Sequence, residues 1–132
     1  MSLVLDCSIT LAWLFAYERP VIATQILIQA GEAGAVVPSL WRLEVANGLQ
    51  MAVRRKRIDA AFRDNAILRL GMLAITVDTE TDHHAWAATL QLAERHNLTL
   101  YDAAYLELAQ RRGLPLATLD RELGAAGNMM GI

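Results

Sequence analysis

The run Leu3-Val4-Leu5-Asp6 is unbroken apolar sequence that ends on a carboxylate. Three apolar residues without polar alternation read as a short strand covered on both faces. Strands of that kind belong to parallel sheets flanked by helices, whose ligands bind in the crevice at the strands' carboxyl ends. The same pattern recurs outward from this run. Ser8 is the expected cap of an apolar helix over 9–16. Pro20 suits the first turn of a helix reaching about Ala33, and Gly34 stops it. Ala35-Val36-Val37 reads as a second strand, closed by Pro38. Ser39 is the expected cap of a helix through about Arg54, with an apolar stripe that includes Leu43, Val45 and Leu49. Asp59 starts another, through about Leu70. Residues 73–77 form the clearest strand, between Gly71 and Asp78. Thr79 begins a helix to near Asn97, and Leu100 begins another that Gly113 ends. Residues 115–118 read as a fourth strand, with Asp120 just past it before a short helix. A last extended piece is expected over 128–130. Short strands alternating with helices make an α/β domain with a mostly parallel sheet.

Composition fits one domain over 1–132. The chain has 132 residues, 55% of them hydrophobic, which is ample material for a core and argues against disorder. The net charge of -2 gives no bulk positive field for nucleic acid, although local clustering matters more than the total. One cysteine, Cys7, excludes an internal disulfide and suits a reducing compartment. The first residues lack a basic leader and meet a carboxylate at once. No uncharged apolar run approaches the roughly 20 residues that span a bilayer. The expectation is a soluble cytoplasmic protein with no membrane association.

The acids fall in a telling pattern. Asp6 and Asp120 each follow a strand, and Glu44 and Asp102 each lie in the first turns of helices that can begin at the same sheet edge. Four acids from distant parts of the chain can therefore share one pocket. Crowded carboxylates repel, and a hard divalent cation with oxygen ligands, Mg²⁺ or Mn²⁺, relieves that repulsion. Such an ion can clamp a phosphodiester and activate water. Ser8 and Thr118, each two residues from one of these acids, carry hydroxyls suited to orienting a carboxylate. Taken singly, Asp6, Asp102 and Asp120 are equally well read as helix caps, and Glu44 as a solvated helix position.

Four stretches carry a family likeness: Leu3-Val4-Leu5-Asp6-Cys7-Ser8, Glu44-Val45-Ala46-Asn47-Gly48-Leu49, Leu98-Thr99-Leu100-Tyr101-Asp102-Ala103-Ala104-Tyr105-Leu106, and Ala117-Thr118-Leu119-Asp120. Together they resemble the PIN-domain family, and within it the VapC-type toxins of bacterial toxin–antitoxin pairs. The third stretch is the most specific. The resemblance implies a three-layer α/β/α domain and a Mg²⁺- or Mn²⁺-dependent endoribonuclease. It places the four family acids, as catalytic and metal-holding residues, at Asp6, Glu44, Asp102 and Asp120. It places supporting polar positions at Ser8, Asn47 and Thr118. Its implied partners are an RNA substrate, a cognate antitoxin and a second copy in a homodimer. Glu122 is the nearest candidate for an additional family acid.

Other features read more simply. Arg54-Arg55-Lys56-Arg57 is a set of cations at a helix C-terminus, with an RNA-phosphate or antitoxin contact as the alternative. Arg42 can pair with an acid or approach phosphate. His83, His84 and His96 lack zinc spacing and are expected on a solvated helix. Cys7 has no His partner and reads as a small buried side chain. Trp13, Trp41 and Trp86 are expected as core or dimer-interface anchors. Gly31 to Gly34 lacks the residues of a phosphate-binding loop. Two functional alternatives stand beside the nuclease: a silent PIN-like module that binds RNA or protein without cleaving, and a phosphotransfer receiver domain. The receiver needs paired acids after the first strand and a late lysine, which this chain lacks.

Overall fold

The computed structural model describes residues 2–15 and 21–132. Four parallel strands form one sheet: β1 (Leu3–Leu5), β2 (Ala35–Val37), β3 (Ile75–Val77) and β4 (Leu116–Ala117), in the order β3-β2-β1-β4. Val4 stands opposite Val36 on one side and Leu116 on the other, so β1 is the inner strand from which the order runs both ways. The gap between β1 and β4 is thus the switch point, where the carboxyl ends of a parallel sheet open a crevice.

Seven α-helices flank the sheet among the described residues: α1 (Cys7–Leu14), α2 (Val21–Ala33), α3 (Trp41–Arg54), α4 (Ala60–Gly71), α5 (Ala88–His96), α6 (Leu100–Arg112) and α7 (Arg121–Met129). Right-handed crossovers put the helices between β1 and β3 on one face and those returning to β4 on the other. The packing agrees: α1 touches α2 and α3, and α3 touches α4, while α6 touches α5 and α7. The result is the expected three-layer α/β domain. On one face α1 lies so close to α3 that a Cβ at Gly48 would stand 2.5 Å from a Leu11 methyl. On the other, seven consecutive residues of α6, from Ala103 to Ala109, are buried. This helix crosses the core and touches β1 and β4.

Several boundaries differ from the sequence reading. Asp6, not Ser8, caps α1, its carboxylate accepting the Ile9 amide at 3.1 Å. The expected helix end at Ala16 and the Pro20 start lie outside the described residues. Ser39 does not cap α3: Leu40 holds that position without a side-chain bond, and the Ser39 amide donates to Thr81 Oγ1 at 3.1 Å. The third strand is shorter than 73–77 and the fourth shorter than 115–118. The helix expected from Thr79 is instead a 3-10 turn over Thr81–His84, an irregular stretch, and then α5. Thr81 explains the delay. Its buried hydroxyl donates to Asp78 Oδ2 at 2.8 Å while accepting from Ser39, and such side-chain bonds compete with a helix start. The extended piece expected over 128–130 is the end of α7. Gly124 and Gly127 face Thr118 and Leu116, but a Cβ at either would meet those side chains at 3.7 Å, an ordinary contact, so the packing does not demand glycine there. Tertiary packing there overrides the weak helix propensity of glycine.

Candidate active site

β1 delivers Asp6 to the crevice. Its amide donates to Ala117 O at 3.1 Å, tying it to the end of β4. The carboxylate is only 4% exposed. Oδ1 accepts from Ser8 Oγ at 2.7 Å as well as from the Ile9 amide, and Oδ2 accepts from Thr118 Oγ1 at 2.5 Å. The two hydroxyls stand 3.4 Å apart, and each also receives a backbone amide beyond β4, Leu119 on Ser8 and Asp120 on Thr118. The expected supporting roles of Ser8 and Thr118 thus have a definite form: they fix Asp6 and close the loop that carries Asp120.

Asp120 caps α7, accepting the Leu123 amide at 2.8 Å, and remains half-buried. Asp102 is half-buried in the first turn of α6, which Thr99 caps by accepting the Asp102 amide at 3.1 Å. Glu44 lies in the first turn of α3, and its Oε1 accepts the Tyr105 hydroxyl at 2.6 Å. Tyr105 is 1% exposed. It was not singled out as a site residue from sequence, although its place three residues after Asp102 on an apolar helix was the available signal. Asn47 is exposed on α3, and Glu122 is exposed in the first turn of α7.

Electrostatics joins the four acids. Burial is the main force raising Asp6 above the ordinary carboxylate range, against bonds from Ser8, Thr118 and Ile9. Burial also raises Glu44, opposed by the Tyr105 bond and reinforced by the charges of Asp102 and Asp6. Asp102 is raised by burial and then by the charges of Asp120 and Asp6, with Glu122 adding to them. Each of the four therefore feels, or acts on, at least one other. Among the described residues none of them forms an ion pair. Cys7 is pushed up to about 12 by burial and by Glu44, Asp6 and Asp102, so it is a thiol at neutral pH and no nucleophile.

A second acidic group was not anticipated. Asp78, just past β3, accepts Arg111 Nη2 at 2.7 Å and Nη1 at 3.2 Å. Glu107, one turn before Arg111 on α6, accepts Nε at 2.7 Å. Glu80 lies 3.7 Å from the same guanidinium. Burial acts to raise Asp78, but the bonds from Arg111 and Thr81 outweigh it and hold the carboxyl below its usual range. Glu107 in an apolar helix with an arginine four residues on was the signal in the sequence.

The remaining candidates fall elsewhere. His83 and His84 lie in the 3-10 turn rather than on a helix, and His96 ends α5. Arg42 is exposed and makes no ion pair with a described residue. Trp41 is core, its Nε1 donating to Thr10 at 3.3 Å, and Trp13 packs on the core beneath the Arg69 guanidinium. Trp86 is 92% exposed, which overturns the core half of its reading as a core or dimer-interface anchor: it sits in the irregular stretch before α5, where no helix face turns it inward. No helix among the described residues is long and apolar enough to cross a membrane.

Comparison with known proteins gives the family. The PIN domain family model matches residues 3–128. Ribonuclease VapC3 of Pyrobaculum aerophilum is 32% identical over 123 residues, spanning 93% of this chain and 92% of its own length. Ribonuclease VapC1 of Mycobacterium tuberculosis is 34% identical over 89 residues, 67% of this chain and 65% of its own. The crystal structure of PAE2754 from Pyrobaculum aerophilum superposes with a TM-score of 0.70 at 28% identity, covering 96% of this chain and 79% of that one. With its four acids at the carboxyl edge of a parallel sheet and likeness along nearly its whole length, the chain belongs to the PIN-domain family, among its VapC-type members.

Proposed function

We propose that this protein is a divalent-metal-dependent endoribonuclease with Asp6, Glu44, Asp102 and Asp120 as its acidic centre. We further propose that it is the toxin of a toxin–antitoxin pair, with a cognate antitoxin and a second copy of itself as partners. The observation that carries the reading is the set of four buried or half-buried carboxylates at one sheet edge, none in an ion pair among the described residues, with Glu44 and Asp102 raised by burial and then by the charges of their neighbours. Its similarity to VapC ribonucleases adds the substrate class.

The donor set fits a hard cation. It is all oxygen, and a divalent charge offsets the burial that raises Asp6, Glu44 and Asp102 and the neighbouring charges that add to it at Glu44 and Asp102. As the side chains stand, no three His, Cys, Asp or Glu groups among the described residues converge on one point, so some of the four would hold Mg²⁺ or Mn²⁺ through water. Such an ion supplies Lewis acidity toward the phosphodiester and makes water a better nucleophile at neutral pH. The protein's own part is orientation. Ser8, Thr118 and the Ile9 amide fix the Asp6 carboxylate, and Tyr105 fixes Glu44. Asp102 and Asp120 are half-buried, and a carboxylate of this pair would take the proton of an attacking water. In-line attack at phosphorus with loss of the 3′ oxygen leaves 5′-phosphate and 3′-hydroxyl ends.

The test is incubation of the purified protein with a cellular RNA pool in Mg²⁺, Mn²⁺ or EDTA, beside Asp102→Asn. Discrete cuts should need the metal and fall by on the order of 100-fold or more in the variant. Cleavage that survives both EDTA and the variant refutes the proposal. Metal binding without cleavage of any RNA transfers the chain to the silent-module reading.

A further inference from the structure

Arg54-Arg55-Lys56-Arg57, in the turn between α3 and α4, is the densest run of charge in the chain. All four side chains are exposed. Cations at a helix end are ordinarily explained by its free carbonyls. Here backbone amides close that end: Arg55 N donates to Met51 O, Lys56 N to Val53 O and Arg57 N to Ala52 O, at 2.9 to 3.0 Å. None of the four pairs with a carboxylate among the described residues. Lys56, the one lysine, adopts a left-handed φ of 58° and turns the chain back. Lys56 and Arg57 then edge a shallow groove whose apolar lining includes Val53, Ile58 and Phe62. Asp59, the acid beside it, is engaged by the Phe62 amide at 2.8 Å. Arg54, the last residue of α3, stands ten residues after Glu44, hence about 15 Å along the axis.

We infer that this groove is a second RNA subsite, in which Lys56 and Arg57 take backbone phosphates and an unpaired base stacks on Phe62. The inference rests on the RNA-cleaving reading and adds the polarity of the strand's path: one end of α3 carries an acid of the cleavage site, the other a cationic hold. The need for such a hold follows from charge. Four acids repel phosphate, and the chain's net charge of -2 offers no general attraction. A cationic rim over an apolar, aromatic lining is the combination that grips single strands, where phosphates meet cations and a free base finds a ring.

The test compares the native chain with Lys56→Gln/Arg57→Gln, Phe62→Leu, and a control, Arg95→Gln/Arg112→Gln, that removes equal charge from exposed positions elsewhere. Binding of a single-stranded oligoribonucleotide of about 16 nucleotides is followed by anisotropy in EDTA over a salt series. Loss of two phosphate contacts should weaken binding about tenfold and reduce the salt slope by about 1.4. Phe62→Leu should weaken binding severalfold with the slope unchanged. Cleavage of a trinucleotide, too short to span both sites, should match the native rate in every variant. Native affinity and slope in the loop variant overturn the inference, as does equal loss in the control. Retained RNA affinity with lost binding of a polyglutamate peptide also overturns it and assigns the groove to an acidic protein partner. Native cleavage with an inert loop sinks the inference alone, whereas RNA binding through the loop without cleavage sinks the nuclease reading alone.

Discussion

Asp78 and Glu107 meet the guanidinium of Arg111, whereas Asp6, Glu44, Asp102 and Asp120 meet hydroxyls, amides and one another. Both groups stand where helices pack on the sheet, and both take acids from far-apart segments. In the first, one planar cation with several donors satisfies two buried carboxylates, and the result is a closed structural clamp between α6 and the end of β3. In the second, no carboxylate has an ion-pair partner among the described residues. Buried acids brought together without a cation cost stability, and such a cost persists where the arrangement serves function. The contrast separates an acid cluster that holds the fold from one that carries the charge the proposed function needs.

The largest expected effect is on the clamp. Arg111→Met leaves Asp78 and Glu107 buried without their partner and should cost about 3–5 kcal/mol in urea unfolding. A cost below about 1 kcal/mol, typical of a solvated pair, would erase the contrast. The two groups also titrate in opposite senses. Asp78 is held below its ordinary value of about 3.9, so its contribution is present above that pH and is lost as pH falls through the folded value. Asp6, Glu44 and Asp102 are raised, so their burden on the folded state lifts as pH falls through their folded values.

A middle-sized effect is expected from the metal. In EDTA at neutral pH, Asp102→Asn should stabilise the protein by on the order of 0.5–2 kcal/mol by removing repulsion. Saturating Mn²⁺ should stabilise the native chain by about 2.7 kcal/mol at a hundredfold excess over Kd, and the variant by much less. A thermal melt in which the variant is no more stable than the native chain in EDTA would show that the crevice carries no strain of charge.

The smallest effect tests orientation within the crevice. Tyr105→Phe should cost about 1 kcal/mol of stability. Its loss also removes the bond that lowers Glu44, so the acid limb of the cleavage rate should move to higher pH. An unmoved limb would mean that Tyr105 only fills space.

The placement of the four acids at one sheet edge was legible because each obeys a local rule: a carboxylate just after an apolar strand, or in the first turn of a helix at that edge. The strand order β3-β2-β1-β4 was not, because pairing is decided by contacts far apart in the chain. Two residues that can cap a helix stand at Asp6 and Ser8, and only the end of β1 decides between them. Thr81 is a similar case, since the bond from Ser39 that delays the helix spans 42 residues. The Glu107–Arg111 pair and the Tyr105–Glu44 bond needed α6 placed across the core before either partner could be found.

The hydroxyl pair beside Asp6 has a consequence for anyone choosing an inactive form of this protein. Ser8 and Thr118 both send their protons to the carboxylate while receiving backbone amides. An asparagine at position 6 brings two protons where Thr118 now donates. Thr118 would have to swing its proton toward Ser8, and the loop leading to Asp120 would be read by a differently ordered set of donors. The Asp102 carboxylate meets the single hydroxyl of Thr99 rather than a linked pair. A one-atom change there silences a charge, whereas the same change at Asp6 rewrites the proton order of two strands' ends.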